Sequence, residues 1–257
     1  MKLAIAGAGG RMGQALIDAV LADQGLDLVA AFDAAGSPAL GRAAGKVKVQ
    51  ADLGGLSAAD VLVDFTRPAG TLLHLEACLK FGKAMVIGTT GFSEAQQQRI
   101  AAGAKRIPIV MSPNFAIGVN VVFRLAQTAA QALGDDYDVE IVEAHHRHKV
   151  DAPSGTALKL GELVALALGR KLGEVATHGR AGDTGERPAK AIGFHAIRGG
   201  DIVGEHTVIF AGAGERVEVA VRSQSRLTYA AGALRAARWL EGRGPGLHDM
   251  FDVLGLK

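Results

Sequence analysis

The densest chemistry in the chain lies between Glu143 and Thr156, which reads Glu-Ala-His-His-Arg-His-Lys-Val-Asp-Ala-Pro-Ser-Gly-Thr. Three of the 8 histidines, His145, His146 and His148, fall here, with Arg147 and Lys149 beside them. A helix start follows at once. Pro153 suits a first turn, and the residues from Ser154 to Thr156 carry N–H groups without helical partners. Cationic side chains facing such N–H groups make an anion site, and carboxylates fit it well. Histidine exchanges protons near neutral pH, as reduction of a C=N or C=C bond requires. Metal binding is the competing reading of His146 and His148, placed on one strand face. No cysteine or third ligand has suitable spacing, so no metal is expected. His74, His178 and His248 are read as structural, and Cys78 as a small core residue of a helix.

A second group of residues carries no reactive side chain but has a distinctive spacing. Gly7-Ala8-Gly9-Gly10-Arg11-Met12-Gly13 joins an apolar run to a helical one. Glycines there permit a tight turn and bring backbone N–H groups to a pyrophosphate at a helix N-terminus. The spacing departs from G-x-G-x-x-G, because Met12 stands in the last glycine's place and Gly13 follows. Asp33, about 20 positions after Gly13, ends the next apolar run and is placed to accept hydrogen bonds from an adenosine ribose. A glycine turn with no ligand is the plainer alternative. Residue 34 is Ala, so no guanidinium follows Asp33 to hold a 2′-phosphate, which favours NADH over NADPH. Arg11, Lys46 and Lys48 soften that preference. Phe65 to Pro68, Gly88-Thr89-Thr90 and Ser112-Pro113-Asn114-Phe115 lie at further strand ends, where ligands of parallel sheets bind. Ordinary turn chemistry explains each of these equally well.

The elements that must position these residues follow from periodicity. In the first half, apolar runs at Leu3–Ala6, Leu26–Phe32, Val61–Phe65, Ala84–Ile87 and Ile107–Met111 read as strands. Helical stretches at Met12–Leu21, Ala69–Phe81 and Ser93–Ala104 separate them. Near-continuous apolar strands between helices predict a parallel sheet covered on both faces. The second half predicts a helix over Gly118–Leu133, an alternating strand over Asp138–His145 and a helix over Ser154–Leu168. A long loop follows over Gly169–Pro188. Strands at Ala191–Ile197, Ile202–Phe210 and Arg216–Arg222 come next, then a helix over Thr228–Leu240 and a short tail. The fold class is therefore α/β, a Rossmann-type parallel sheet domain plus an α+β substrate domain with a mixed sheet. A boundary falls between Asn114 and Gly118.

Composition narrows the class. The 257 residues allow one to two domains, and 49% hydrophobic residues exclude disorder as the main theme. A net charge of +2 argues against a nucleic-acid coat. No apolar run approaches the ~18 residues of a membrane span, so no membrane partner is expected. Met1 to Ala6 reads as a strand rather than a leader, since its short apolar run ends in glycines. A lone cysteine needs no oxidising compartment, and the cytoplasm is the default.

At these residues the sequence resembles the 4-hydroxy-tetrahydrodipicolinate reductases, also called dihydrodipicolinate reductases, of bacterial lysine and diaminopimelate biosynthesis. The likeness covers essentially the whole chain. Glu143 to Thr156 resembles the family signature E-A-H-H-R-H-K-x-D-A-P-S-G-T. The N-terminal glycine loop, Asp64 to Pro68, Gly88 to Gly91 and Pro113 to Phe115 fit in the right order. The resemblance implies that His145 is the acid/base residue and Lys149 the proton donor. It implies that His146, Lys149, Gly155 and Thr156 hold the two carboxylates of a small cyclic substrate. It also implies that Gly7, Ala8, Gly9, Gly10, Arg11, Met12, Asp33, Gly88, Thr89, Thr90, Ser112, Pro113, Asn114 and Phe115 bind NADH or NADPH. Family members that handle NADPH well usually carry Arg after the acidic ribose residue, and Ala34 departs from that. A homotetramer built through the C-terminal sheets is implied, with Gly169–Pro188 near a neighbouring subunit. The C-terminal helix would return to the nucleotide domain. The expected division is then 1–116 with 226–257 for the dinucleotide, and 117–225 for substrate and tetramer contacts. Two rivals remain. An aspartate dehydrogenase-like oxidoreductase would share the dicarboxylate grip but not the histidine signature. An NAD(H)-sensing module would keep the glycine loop and Asp33 but need neither His145 nor Lys149.

Overall fold

The computed structural model describes residues 1–225 and 227–257. Strands and helices run in the order β1 (Lys2–Ala6), α1 (Arg11–Leu21), β2 (Asp27–Phe32), β3 (Ala43–Ala44), β4 (Val47–Gln50), β5 (Val61–Asp64), α2 (Pro68–Phe81), β6 (Ala84–Ile87), α3 (Glu94–Ala104), β7 (Pro108–Met111) and α4 (Ile117–Leu133). Then come β8 (Asp138–His145), α5 (Gly155–Ala167), α6 (Leu172–Val175), β9 (Ala176–His178), β10 (Ile192–Arg198), β11 (Gly204–Ala211), β12 (Arg216–Ser223), α7 (Leu227–Trp239), β13 (Gly246–His248) and α8 (Met250–Leu254). Two compact units result, Met1–Ile117 with Arg226–Lys257, and Gly118–Ser225. Residue 226, the expected start of the returning segment, lies outside the described residues.

The first unit is built on a sheet of order β13-β7-β6-β5-β1-β2-β4-β3, parallel except for the β3–β4 pair. Its central strands β1, β2, β5, β6 and β7 are largely apolar because both faces are covered. Leu3, Ile5, Val61, Val63, Val86 and Val110 face one side, in a core completed by Leu16, Ile17 and Val20 of α1 and by Ala233, Leu234 and Ala237 of α7. Ala4, Leu62, Met85 and Ile109 face the other, against Leu72 and Leu75 of α2 and Ile100 of α3. The period of two along each strand makes this split. In α1 the buried residues Gly13, Leu16, Ile17 and Val20 follow helical spacing. The register aligns the strand ends: Ala6 stands beside Phe32 and Asp64, Asp64 beside Ile87, and Ile87 beside Met111. The loops beginning at Gly7, Asp33, Phe65, Gly88 and Ser112 therefore leave the sheet in one row.

The second unit holds a mixed sheet of order β12-β11-β8-β10-β9, with β8, β10 and β9 parallel and β11 and β12 antiparallel. Helix α5 packs on β8, β10 and β11. Gly161 makes this approach possible, because a Cβ there would stand 2.4 Å from the Phe194 ring. Along β8, Val139, Ile141, Glu143 and His145 are buried, while Asp138, Glu140 and Val142 on the other face are half-exposed.

Several local expectations need correction. The stretch 169–188 is not wholly loop, since it contains α6 and β9. These elements are 4 and 3 residues long, too short to show a period. The tail beyond residue 240 contributes β13 and α8, and β3 and β4 extend the first sheet. His146 and His148 are not on a strand. The ladder closes where Gly199 N–H donates to the His145 carbonyl at 3.0 Å, and the chain turns as Lys149 N–H donates to the His146 carbonyl at 3.1 Å. Pro153 lies just before helix α5, because Ser154 is its N-cap and accepts from Ala157 N–H at 3.2 Å.

Candidate active site

The glycine loop of the first unit is fixed by its own backbone. Gly7 takes a positive φ of 75°, and Gly10 N–H donates to the Gly7 carbonyl at 2.9 Å. A Cβ on Gly13 would stand 2.0 Å from that carbonyl oxygen, so Gly13 fills the close-packing role that the spacing displaced from Met12. Gly9 N–H donates to Asp33 Oδ2 at 2.7 Å, and Ala34 N–H to Asp33 Oδ1 at 2.8 Å. The amide of Gly10 is thus engaged within the loop and that of Gly9 by Asp33. No side chain caps α1, so its first-turn N–H groups are left for an anion. A carboxylate has about four lone-pair sites, so Asp33 keeps acceptor capacity for hydroxyls. A cradle that a Cβ would fill, a bare helix start and an acceptor at the next strand end suit a dinucleotide.

The neighbouring strand ends are tied together by the Asp64 carboxylate, which is fully buried. It accepts from Thr66 N–H at 2.9 Å and Thr66 Oγ1 at 2.7 Å, and pairs with His74 Nδ1 at 2.7 Å. Thr89 Oγ1 accepts from Thr66 N–H at 2.9 Å and from Thr71 at 2.9 Å. Of the expected cofactor residues here, Thr89 is consumed inside this network and Thr90 is exposed. A Cβ on Gly88 would collide with the Phe65 ring at 2.1 Å. Phe115 is buried and packs on Phe65 with ring centroids 5.5 Å apart, so its ring serves the core. Ser112 Oγ donates to the Asn114 carbonyl at 2.8 Å, and Asn114 Oδ1 accepts from Ala116 N–H at 2.9 Å, which fixes the Pro113 turn.

In the second unit, the end of β8 and the start of α5 meet around Glu143. Its carboxylate is 1% exposed. Oε2 lies 2.6 Å from His145 Nδ1 and accepts from Arg198 at 2.7 Å. Oε1 accepts from the second Arg198 nitrogen at 2.7 Å and from Ser154 N–H at 3.1 Å. Arg198 also donates to the Asp151 carbonyl at 2.6 Å. Register explains the assembly: Arg198 stands beside His145 on β10, and His206 stands opposite Glu143 on β11. His206 Nε2 lies 2.9 Å from Ser154 Oγ, and its ring meets that of His145 edge-on at 5.1 Å. Lys149 Nζ is held by Asp151 at 2.9 Å. His146 has a buried Nδ1 without a hydrogen-bond partner, a donor or acceptor that a ligand would satisfy. Gly155 is exposed at the first turn of α5, next to Thr156.

The electrostatics separate the two buried histidines from their carboxylate. Burial pushes His145 below the ordinary histidine value, and Glu143 pulls it part of the way back. Burial drives His206 further, to about 4, so it is a neutral partner of Ser154. Burial alone would raise Glu143, but the hydrogen bonds from Arg198 and His145 hold it below the usual carboxylate range. Glu143 is therefore an anion and can only accept. Arg198 and His206 escape sequence reasoning because nothing local marks them, whereas Ser154 reads only as part of the helix start. Arg198 lies 55 residues from Glu143, and His206 lies 52 from Ser154. Among the described residues, no three His, Cys, Asp or Glu side chains are grouped to hold a metal ion.

Residues 1–115 match the family described as "Dihydrodipicolinate reductase, N-terminus", and residues 118–254 match "Dihydrodipicolinate reductase, C-terminus". A protein named 4-hydroxy-tetrahydrodipicolinate reductase from Aromatoleum aromaticum is 57% identical, over 100% of this chain and 96% of its own length. One of the same name from Dechloromonas aromatica is 58% identical, over 100% and 98%. A dipicolinate-bound dihydrodipicolinate reductase from Paenisporosarcina sp. TG-14 superposes with a TM-score of 0.81 at 28% identity, over 98% of each chain.

Proposed function

Because the chain belongs to the dihydrodipicolinate reductase family, we propose that it reduces 4-hydroxy-tetrahydrodipicolinate to tetrahydrodipicolinate with loss of water. This places it in lysine and diaminopimelate biosynthesis as an NAD(P)H-dependent oxidoreductase. The single observation that carries the site assignment is the pairing of His145 with a buried, fully engaged Glu143 beside the start of α5. A sensing module would have no use for that arrangement.

We assign the roles as follows. The C4 hydroxyl leaves as water together with a proton from the neighbouring ring carbon, and the new C=C bond gives a conjugated imine. A reduced nicotinamide, when bound, supplies the hydride that C4 accepts. Lys149 Nζ gives the proton that completes the reduction, and His145 exchanges protons at Nε2. His146, Lys149, Gly155 and Thr156 hold the two carboxylates, with the helix start favouring their negative charge. For that grip Lys149 exchanges Asp151 for a substrate carboxylate. Gly7 to Met12, Asp33, Gly88 to Thr90 and Ser112 to Phe115 form the nucleotide site. Residues 1–116 with 226–257 are the dinucleotide domain and 117–225 the substrate domain.

We also propose NADH as the preferred cofactor, supported by Asp33 followed by Ala34. A homotetramer joined through the second sheet is supported by its half-exposed face and by edge strand β12, where Val217, Val219 and Val221 are half-buried. Cytoplasmic location is supported by a single, buried cysteine. No helix among the described residues is long and apolar enough to cross a membrane. The deciding assay follows NADH and NADPH oxidation while a condensing enzyme makes the substrate from pyruvate and aspartate semialdehyde. Oxidation that needs both precursors is expected. Nucleotide binding without oxidation would overturn the reductase assignment.

A further inference from the structure

The carboxylate of Glu143 touches His145, and the guanidinium of Arg198 touches the segment that carries Lys149. The four acceptor positions of Glu143 are filled by two Arg198 nitrogens, Ser154 N–H and His145 Nδ1. Arg198 reaches onward to the Asp151 carbonyl, two residues from Lys149. The second hydrogen-bonding nitrogen of each Arg198 contact is set by the planar fork, which matches a carboxylate in two parallel bonds.

We infer that Glu143 and Arg198 are positioning residues, which lock the proton of His145 on Nδ1 and hold the Lys149 loop and the start of α5 in one register. An anionic carboxylate cannot donate, so His145 Nδ1 must. The free nitrogen is then Nε2, the atom that takes up or gives away a proton. Because the same carboxylate holds Ser154 N–H, the acid/base group and the carboxylate-binding helix start cannot drift apart. A glutamine at position 143 defeats this. Either orientation of its amide turns an NH2 group toward Arg198, and one orientation also reverses the tautomer of His145. The charged or titratable groups facing His145 are Glu143 on its own strand, Lys149 in the following loop, Arg198 on β10 and His206 on β11. Of these only Glu143 is negative, so its removal makes His145 easier to deprotonate.

This inference rests on the reductase reading for its kinetic arm alone. The first readout is 15N NMR of histidine-labelled protein, with the His145 signal assigned by its loss in His145→Gln. Wild-type protein is expected to show the Nδ1–H form, and Glu143→Gln the Nε2–H form, because the amide orientation that keeps the Ser154 N–H and one Arg198 bond turns its NH2 onto His145 Nδ1. The second readout is the pH profile of reductase turnover. In Glu143→Gln, kcat is expected to fall about 100-fold, the cost of a 1 Å misplacement of reacting groups. KM should move less than tenfold, and the limb belonging to His145 should shift to lower pH. Glu143→Asp should restore that limb with partial kcat. An Nε2–H tautomer in the wild type would overturn the inference, as would an unmoved limb in a Glu143→Gln protein that merely melts earlier. If the wild type shows no turnover, the reductase reading fails, while the tautomer still decides the role of Glu143.

Discussion

Replacing Gly13 by alanine tests the nucleotide cradle at its tightest point. The new Cβ would stand 2.0 Å from the Gly7 carbonyl oxygen, 2.7 Å from its carbon and 2.9 Å from Ala8 Cα. All three atoms are backbone, so no side chain can turn aside. Restoring a tolerable contact of 3.0 Å requires the loop and α1 to part by about 1 Å. Overpacking of this kind costs about 1–3 kcal/mol, and alanine returns about 1 kcal/mol of helix propensity over glycine. The net destabilisation is about 0–2 kcal/mol, or a Tm lowered by at most about 8 °C in a chain of this size. Binding suffers more. The first-turn N–H groups of α1 move by the same distance relative to the loop. Losing one hydrogen bond to an anionic phosphate removes about 1.5–3 kcal/mol, which raises the Kd for NADH roughly 10- to 100-fold. Titration calorimetry at a temperature where both proteins are folded measures this directly. A Gly13→Ala protein that binds NADH within twofold of the wild type would refute the cradle.

Three other outcomes are expected. Lys149→Ala should lose at least about 100-fold in kcat, as removal of a proton donor does, with an unchanged melting curve; steady-state kinetics and circular dichroism check both parts. The ratio of KM values should favour NADH, and Ala34→Arg should shift it toward NADPH by about tenfold, the effect of one modest charge-assisted contact; a wild type that prefers NADPH would remove the argument from Ala34. Glu140 gives a pH signature of stability. Burial opposes its ionisation, but Arg180, Arg187 and His195 hold its carboxyl at about 2 against an ordinary 4.5. A depressed value stabilises the fold above about 4.5, and the contribution fades as pH falls toward 2. At neutral pH it is on the order of 3 kcal/mol, so the stability gap between wild type and Glu140→Gln in urea melts should narrow on acidification.

The first sheet was legible because its strands are buried on both faces and so read as apolar runs, while the helices between them repeat at the right spacing. Fold class came from that contrast with the alternating strands of the second half. What escaped was short or non-local. Gly246–His248 has three residues and one hydrophobic side chain, yet it adds a strand to β7. Ala176–His178 joins β10 by backbone pairing and by the His178 ring stacked on Phe194 at 5.4 Å, a contact its three residues do not announce. His146 and His148 looked like strand neighbours, but the ladder ends at His145. The histidine-rich segment was conspicuous, whereas the residues that hold it were not. Arg198 falls just past the strand read over Ala191–Ile197, and His206 inside the one read over Ile202–Phe210. Only the register of β8 with β10 and β11 brings them to Glu143.

The two units build their sites from different materials, and that predicts how each fails. The nucleotide loop is made of backbone: a positive φ at Gly7, an absent Cβ at Gly13 and a helix start without a side-chain cap. Side-chain charge contributes there mainly through Asp33, so most side-chain substitutions around it leave the cradle intact, and added carbon atoms at its glycines do not. The second site is made of side chains whose charges are matched in pairs, Glu143 with Arg198 and Lys149 with Asp151. The buried pair is the vulnerable one. Removing Arg198 strands the Glu143 carboxylate, 1% exposed, away from water, which costs about 3–5 kcal/mol. The exposed Lys149–Asp151 contact contributes far less and is easily exchanged. The proposed roles, with His145 fixed and Lys149 trading an internal carboxylate for an incoming one, rest on this difference between a buried carboxylate anchor and a surface contact that can open.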